Sequence, residues 1–143
     1  MKNKAKDQWT IAQGREEGMR LMLRLNESVG PLAGNQQYSF RVSIVVPFKS
    51  PNADGTPKVD EFKHLDGIED TIIDRFNAKQ TGVLCIIVTT QGMQQFVIYS
   101  KTDNVGQIIK DIALHFPEYN FKHSVEQDKN WDQYKHWVEE LGE

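Results

Sequence analysis

The clearest pattern of apolar positions in the chain lies in residues 82–101, GVLCIIVTTQGMQQFVIYSK. Residues 83–90 are almost continuous in β-branched and apolar side chains, which predicts a strand that is covered on both faces. Residues 93–101 alternate more clearly between apolar and polar side chains. Because Gln91 and Gly92 form a turn signal between these segments, we expect an antiparallel hairpin at the centre of a sheet.

A second hairpin is predicted near the amino terminus. Residues 19–26 alternate strictly, with Met19, Leu21, Leu23 and Leu25 on one side. A helix would scatter these four side chains around its circumference, so the alternation favours a half-buried strand. Residues 9–13 are also strand-like, and residues 15–18 have the composition of a connecting turn.

Two more strands and three helices complete the predicted elements. Residues 38–49 and 119–127 alternate as strands do. Their apolar faces are Phe40, Val42, Ile44, Val46 and Phe48 in the first, and Phe121, His123 and Val125 in the second. Spacings of three and four predict helices over residues 59–78, 105–116 and 129–141. The apolar stripe of the first helix is Phe62, Leu65, Ile68, Ile72 and Phe76. That of the second helix is Ile108, Ile109, Ile112 and Phe116, and that of the third is Trp131, Tyr134, Val138 and Leu141. Residues 102–104 and Asp128 are the predicted caps of the second and third helices.

The order of elements predicts the fold class. From residue 38 onward it is strand, helix, strand, strand, helix, strand, which is the split βαβ pattern of ferredoxin-like domains. We therefore predict an α+β fold with a ferredoxin-like (βαββαβ) antiparallel sheet, extended by the N-terminal β-hairpin and a C-terminal helix. The C-terminal helix is a candidate cover for the second face of the sheet. Residues 1–8 are expected to be a disordered N-terminus and residues 9–143 a single domain.

Composition narrows the class of protein. Hydrophobic residues make up 38% of the chain and charged residues 26%, so the chain can bury a core. The net charge of -3 argues against a dedicated nucleic-acid binder, because such proteins present a basic face. The single cysteine, Cys85, lies in the most apolar predicted strand, where it acts as a small apolar residue. We see no signal peptide or membrane-spanning segment, and we predict a cytoplasmic location.

Four stretches resemble the bacterial family called domain of unknown function 695. They are Gly55-Thr-Pro57 before the first long helix, Glu69-Asp70 within it, Gly92-Met-Gln-Gln-Phe-Val-Ile-Tyr99 in the central hairpin, and Asp128-Lys-Asn-Trp131-Asp-Gln-Tyr134. The chain departs from the family pattern after the turn glycine, where we associate a basic residue with the family and Met93 stands here. Members are sometimes joined to a domain resembling the regulator of ribonuclease E activity B. The resemblance implies a regulatory or binding role and supplies no catalytic residues.

Motifs for catalysis and metal binding are weak. The histidines are His64, His115, His123 and His136, and no pair has the spacing of a zinc-binding helix. There is no Gly-x-Ser-x-Gly and no Gly-rich phosphate loop. Residues 50–61 share part of a calcium-loop spacing, but Ser50 holds its first position and Pro57 its eighth. We expect no catalytic residue, cofactor or metal. The acidic residues are interpreted as a turn and a solvated helix face, or as a surface for a basic partner.

Candidate partner-binding residues come from two patterns. Arg20, Arg24 and Arg41 lie on the polar faces of predicted strands and form the best candidate basic patch, although a solvated sheet face is the simpler interpretation. The others are aromatic: Tyr99, Trp131, Tyr134 and Trp137. Trp131 and Tyr134 share a helical stripe that is typical of packing. Trp137 falls off that stripe, and an exposed tryptophan there is a candidate anchor for a partner.

These observations predict a non-enzymatic protein-binding or regulatory module, with RNA metabolism as one setting for that regulation. We expect a protein partner, no nucleic acid and no membrane contact. Two alternatives remain open. One is a small-ligand-binding protein or enzyme with a pocket between the sheet and the C-terminal helix. The other is RNA binding through the arginine-bearing sheet face.

Overall fold

The computed structural model describes residues 8–141, and within that range the chain forms an antiparallel sheet of six strands and three α-helices. The strands are β1 (Trp9–Glu16), β2 (Met19–Asn26), β3 (Phe40–Pro47), β4 (Gly82–Thr90), β5 (Met93–Ser100) and β6 (Lys122–Gln127). The helices are α1 (Phe62–Ala78), α2 (Gly106–Leu114) and α3 (Asp132–Leu141). Short 3-10 helices lie at Glu27–Leu32, Gln36–Tyr38 and Val59–Glu61. None of the helices in this range has the length and apolar character that crossing a bilayer requires.

The strand order is β1-β2-β4-β5-β3-β6, and every neighbouring pair is antiparallel. The predicted α+β class is therefore confirmed. Both predicted hairpins are present, and each turns through two residues with positive φ: Glu17 and Gly18 at 51° and 81°, and Gln91 and Gly92 at 53° and 80°. Two such residues in succession match the right-handed twist of the flanking strands. The N-terminal hairpin extends the sheet because β2 pairs with β4.

The sheet separates two hydrophobic cores, as the apolar strand at residues 83–90 predicts. The first core lies under α1 and α2, and the second lies under α3. Strand β4 contributes side chains to both cores. Leu84 and Ile87 lie in the first core, whereas Cys85 and Ile86 lie in the second. A register shift between Leu84 and Ile86 allows two successive side chains to face the same way.

The first long helix begins one turn later than predicted. Residues Val59–Glu61 form a 3-10 turn, and α1 begins at Phe62. Phe62 was predicted to face the core, but it is 50% exposed, so that prediction is wrong. The buried stripe of α1 consists of Leu65, Ile68, Ile72, Ile73 and Phe76, together with the carboxylate of Glu69.

The other helices also depart from the predicted pattern in detail. Helix α2 begins without a side-chain cap, so the predicted cap at residues 102–104 is wrong. Helix α3 begins at Asp132 and not at residue 129, because Trp131 has a φ of 60°, outside the helical region. Val138 is 42% exposed, and Trp137 packs against the second core in its place.

The edge strand β6 and the amino terminus also differ in detail from the prediction. His123 was predicted on the apolar face of the last strand, but it is exposed on β6. The predicted disordered segment at residues 1–8 lies outside the described residues except for Gln8. The backbone of Gln8 is paired at both ends, because its N–H donates to Ser28 Oγ at 2.8 Å and its carbonyl accepts from Glu27 N at 2.8 Å.

Gly82 begins β4 where three elements meet, and it leaves no room for a side chain. A Cβ atom there would lie 2.9 Å from Ile98 Cγ2, 3.0 Å from Phe76 Cδ1 and 3.1 Å from the carbonyl oxygen of Tyr99. The backbone of β4 can approach α1 and β5 this closely only because the residue is glycine.

We predict that Gly82→Ala lowers the free energy of unfolding by about 1–3 kcal/mol, because the added methyl group overpacks a rigid site. The matched control is Gly106→Ala at the start of α2, where a Cβ would meet nothing within 4 Å. The control should be neutral or slightly stabilising, since alanine favours helix over glycine. Urea unfolding followed by tryptophan fluorescence measures both variants. Equal stability of the two would contradict the close contact.

Candidate functional site

A groove of about 390 Å³ opens on the first face of the sheet, between the β1–β2 hairpin and α1; we call it the hairpin–helix groove. Its volume lies in the range of sites that bind small groups, roughly 300–1,000 Å³. The wall formed by β2 includes Arg20, Met22 and Arg24, and the wall formed by α1 includes Phe62, Leu65 and Asp66. Thr56 and Pro57 close one end, and Thr89 and Gln94 form the floor. The groove thus combines walls of apolar and charged side chains with a polar floor.

The two walls are joined by a buried ion pair. Arg24 Nη2 lies 2.7 Å from Glu69 Oε1, and Arg24 Nη1 donates to Glu69 Oε2 at 3.4 Å. The side chain of Glu69 is only 1% exposed and that of Arg24 is 28% exposed. The Trp9 ring lies 5.7 Å from the guanidinium. A two-pronged pair of this kind fixes orientation as well as distance, so it sets the separation of the hairpin from α1.

The floor of the groove carries a polar side chain that is only half satisfied. Gln94 is 7% exposed, and its Nε2 donates to Thr89 Oγ1 at 2.9 Å. Among residues 8–141, Gln94 Oε1 has no hydrogen-bond partner. A buried acceptor without a donor costs about 1–3 kcal/mol. A donor that enters the groove would therefore recover part of that cost.

The end of the groove is a turn that is pinned to both hairpins. The carbonyl of Gly55 accepts from Gly92 N at 2.9 Å, and the carbonyl of Asp54 accepts from Arg20 N at 3.1 Å. Gly55 has a φ of 87°, and a Cβ there would lie 3.0 Å from Gln91 N. Hydrogen bonds from Thr56 hold the pKa of Asp54 below its ordinary value. The carboxylate of Asp54 thus serves the turn itself. In the described part of the chain no group of three metal-ligating side chains is assembled.

The opposite face of the sheet holds most of the other predicted site residues, in a buried network around Asp128. Asp128 Oδ2 accepts from Tyr99 Oη at 2.8 Å and from Arg41 Nη1 at 2.9 Å. Asp128 Oδ1 accepts from Asp132 N at 2.8 Å. The predicted side chain therefore binds the first amide of α3, but Asp128 lies four residues before the helix begins and is not its N-cap residue. One carboxylate therefore joins β3, β5 and the start of α3.

Two aromatic side chains close this network. The Trp131 ring stacks on Tyr99 with centroids 4.0 Å apart and an angle of 9°, and its Nε1 donates to the Tyr38 carbonyl at 2.8 Å. Tyr134 Oη donates to the Asn26 carbonyl at 2.8 Å. Tyr99, Trp131 and Tyr134 are all buried. Trp131 and Tyr134 thus act as the packing stripe that the sequence favours, and Tyr99 packs against them from the sheet.

Burial and hydrogen bonding shift the pKa values within the network. Burial, followed by the bond to Asp128, raises the pKa of Tyr99 far above its ordinary value, and burial raises the pKa of Tyr134 to about 12. Burial of Asp128 would raise its pKa, but the bonds from the Asp132 amide, Tyr99 and Arg41 outweigh it and hold the pKa below the ordinary value. The network is thus an ionised carboxylate surrounded by donors.

A second groove, of about 500 Å³, lies beside α3 and is lined by Leu25, Gly30, Tyr134 and Val138 among others. It is the nearest counterpart of the predicted pocket between the sheet and the C-terminal helix. None of the buried polar atoms that lack a partner in residues 8–141 belongs to its lining. This second groove therefore offers apolar surface, but within residues 8–141 it has no buried polar atom that lacks a hydrogen-bond partner.

The predicted arginine patch is split between the two faces. Arg20 and Arg24 lie at the hairpin–helix groove, whereas Arg41 lies on the opposite face with Glu126 and Asp128. The prediction of a single basic patch is wrong, and so is a fully solvated face, because Arg24 and Arg41 are partly buried in ion pairs. Trp137 is half-buried against the second core, so its predicted exposure is only partial.

Sequence reasoning missed Gln94 and the exposed Phe62. The signal for Gln94 was present, because it shares strand parity with Phe96 and Ile98, both of which are fully buried. A glutamine at a core-facing position of a central strand must find a partner inside the protein or accept one from outside. No pattern in the sequence identifies Phe62, which fits the apolar stripe of its helix.

Comparisons with known proteins give one match. The model of a family described as a family of unknown function (DUF695) matches residues 7–138. No match was found among curated proteins or among solved structures. Three of the four stretches that carry the sequence resemblance surround the hairpin–helix groove: Gly55–Pro57 at its end, Glu69 behind Arg24, and Gly92–Gln94 at its floor. The fourth stretch forms the Asp128 network.

We predict that Asp128→Asn lowers the free energy of unfolding at pH 7 by about 1.5–3 kcal/mol, because one amide oxygen cannot accept from Tyr99, Arg41 and the first backbone amides of α3 at once. The folded pKa of Asp128 lies below its ordinary value of 3.8, so its contribution is present above that pH and is lost as the pH falls through the folded pKa. The variant should therefore lose less stability than the natural protein between about pH 5 and pH 2.

Urea unfolding across this pH range measures the difference, with Asp103→Asn at an exposed position as the control. The control should follow the natural protein. Parallel pH curves for Asp128→Asn and the natural protein would show that folding does not lower the pKa of Asp128.

Proposed function

The chain belongs to this family of unknown function, and we propose that it is a non-enzymatic protein-binding module whose hairpin–helix groove receives a side chain of a partner protein. The observation that carries the proposal is the groove itself, in which apolar side chains of both walls lead down to a buried amide whose oxygen lacks a partner within residues 8–141. Such a site is completed by a group that brings both apolar surface and a hydrogen bond.

Exposed apolar side chains support this role. Phe62 is 50% exposed and Met22 is 36% exposed, and both line the groove. Apolar surface that collects at a concave site marks interaction surfaces more often than apolar residues scattered singly. Covering it stabilises a complex by about 25 cal/mol for each Å² removed from water.

The charged groups of the groove favour binding over catalysis. Arg24 is held by Glu69, Arg20 Nη2 donates to Gln13 Oε1 at 2.9 Å, and Asp54 accepts from Thr56. Each of these bonds positions a wall or an end of the groove. A general acid or base needs a proton that it can exchange with a substrate, and these groups are instead engaged with their neighbours. Asp66, the remaining charged side chain of the lining, is exposed to solvent.

The arrangement of strands supports a ferredoxin-like assignment within the same proposal. In sequence the elements run β3-α1-β4-β5-α2-β6, and in the sheet these strands stand in the order β4-β5-β3-β6. Helices α1 and α2 both pack on the first core. This order supports a split βαβ unit, with the N-terminal hairpin and α3 as additions. Cys85 is buried and forms no disulfide, which suits a reducing compartment such as the cytoplasm.

RNA binding finds less support. Its simplest form needs several basic side chains on one surface. The three arginines are divided between two faces, and two of them are neutralised by buried carboxylates. Neutralised arginines release few counterions on contact with phosphate.

We predict that Met22→Ser combined with Phe62→Ser weakens partner binding at least tenfold, since two side chains that each contribute about 1 kcal/mol or more would be lost. The matched control is Val59→Ser combined with Leu114→Ser, because both residues are more exposed still and neither lines the groove. Proteins captured from a lysate by the natural chain are purified and measured by calorimetry against all three forms. Equal affinity for the groove and control variants would exclude the groove as the binding site.

A further inference from the structure

The chemistry of the groove floor narrows the class of side chain that the groove can take. Gln94 and Thr89 are register partners across β5 and β4, and their hydrogen bond uses the Nε2 end of the amide. The Oε1 end is left as an acceptor, and Gln94 as a whole is 7% exposed. An incoming group must therefore present an N–H or O–H donor to this atom.

The charge around the floor favours a neutral donor. Arg24 is neutralised by Glu69. The other charged side chains of the lining, Arg20 and Asp66, are of opposite sign, so the lining as a whole favours neither an ammonium nor a carboxylate. A carboxylate would also face the lone pairs of Gln94 Oε1. Moving a charge into such a site without a counter-charge is unfavourable. The remaining donors in proteins with substantial apolar surface are the phenol of tyrosine and the indole of tryptophan.

The walls suit a flat ring. The α1 wall presents the half-exposed ring of Phe62 and the side chain of Leu65, and the β2 wall presents Met22 and the guanidinium of Arg20. Aromatic rings pair favourably with other rings, with thioether sulfur and with guanidinium groups. Tyrosine and tryptophan are also the side chains that most often dominate protein interfaces.

From these observations we propose that the hairpin–helix groove recognises a tyrosine or tryptophan side chain of a protein partner, whose phenol O–H or indole N–H donates to Gln94 Oε1. The inference rests on the proposed function, because it names the side chain that the binding module receives. It adds a specificity-determining residue, Gln94, which reads the donor at the tip of the ring.

The test is a titration of ¹⁵N-labelled protein followed by amide chemical shifts, with p-cresol, toluene and 4-methylanisole as probes. These probes carry the same ring with a donor, with no polar group and with an acceptor only. The amides of Met22, Phe62 and Gln94 report the groove. We expect p-cresol to bind about fivefold more tightly than toluene, and 4-methylanisole to bind no better than toluene. The capped peptides Gly-Tyr-Gly and Gly-Phe-Gly should repeat the preference.

Variants assign the preference to Gln94. Gln94→Leu should abolish the difference between p-cresol and toluene while the groove still binds toluene, and Gln94→Met serves the same purpose if the leucine variant does not fold. The matched control is Gln95→Leu, because Gln95 is the next residue and donates to Ser43 Oγ at 2.7 Å on the other face of the sheet. The control should keep the fivefold preference.

The outcomes separate this inference from the proposed function. Equal binding of p-cresol and toluene would overturn donor recognition but leave the groove as a binding site. Stronger binding of 4-methylanisole would also overturn it, because the floor would then be acting as a donor. Binding of p-cresol without binding of the tyrosine peptide would overturn the assignment to a protein side chain in favour of a small molecule. The absence of any shift in the groove with all probes would overturn both proposals.

Discussion

The burial of β4 on both faces is the constraint on which the rest of the structure depends. A strand in this position needs a separate cover on each side, so the chain must supply two cores from one short sheet. The register shift at Cys85 and Ile86 makes this feasible, because it sends two successive side chains to the α3 face and returns Ile87 to the α1 face. Relative to strict alternation, the shift therefore moves Ile86 to the α3 core and Ile87 to the core under α1 and α2.

The helices that cover the two faces of the sheet are held in place by the same kind of interaction, a buried ion pair. On each face a buried carboxylate meets a partly buried arginine from the polar side of a strand: Glu69 with Arg24 under α1, and Asp128 with Arg41 before α3. Pairs of this kind contribute little net stability, because desolvation offsets much of their attraction. Their geometric demand is strict, however, since either charge left alone would be costly. They therefore fix where each cover sits, while the apolar contacts hold it there.

The sequence pattern predicts what depends on local alternation and misses what depends on contacts between distant segments. The strand at Met19–Asn26 is correct to the residue, and both hairpin turns are in place. The start of α1 is displaced because Glu61 turns inward to accept from Tyr119 Oη at 2.6 Å and from Lys49 N at 3.1 Å. Periodicity along one segment contains no information about such partners.

The arginines show the same limit. Alternation correctly separates Arg24 and Arg41 from the apolar sides of their strands. It cannot say that these polar sides belong to opposite faces of one sheet. That follows only from the pairing, in which Arg24 stands opposite Ile87 of the first core and Arg41 stands opposite Tyr99 of the second. The prediction of a single basic patch is wrong for this reason. The groove was not predicted because its two walls come from distant parts of the sequence, 45 residues apart at Arg24 and Glu69.

These constraints also explain why the groove exists. The N-terminal hairpin widens the sheet beyond the strands that α1 and α2 cover, and the Arg24–Glu69 pair holds α1 at the boundary between the covered and the added part. A helix held there cannot move across to bury Met22 and Phe62. An apolar residue at position 94 would have extended the core outward at this boundary, as Phe96 and Ile98 do deeper in the sheet. Gln94 ends the apolar core at the position where α1 stops covering the sheet. Its buried amide makes this edge of the core a surface that prefers a hydrogen-bond donor.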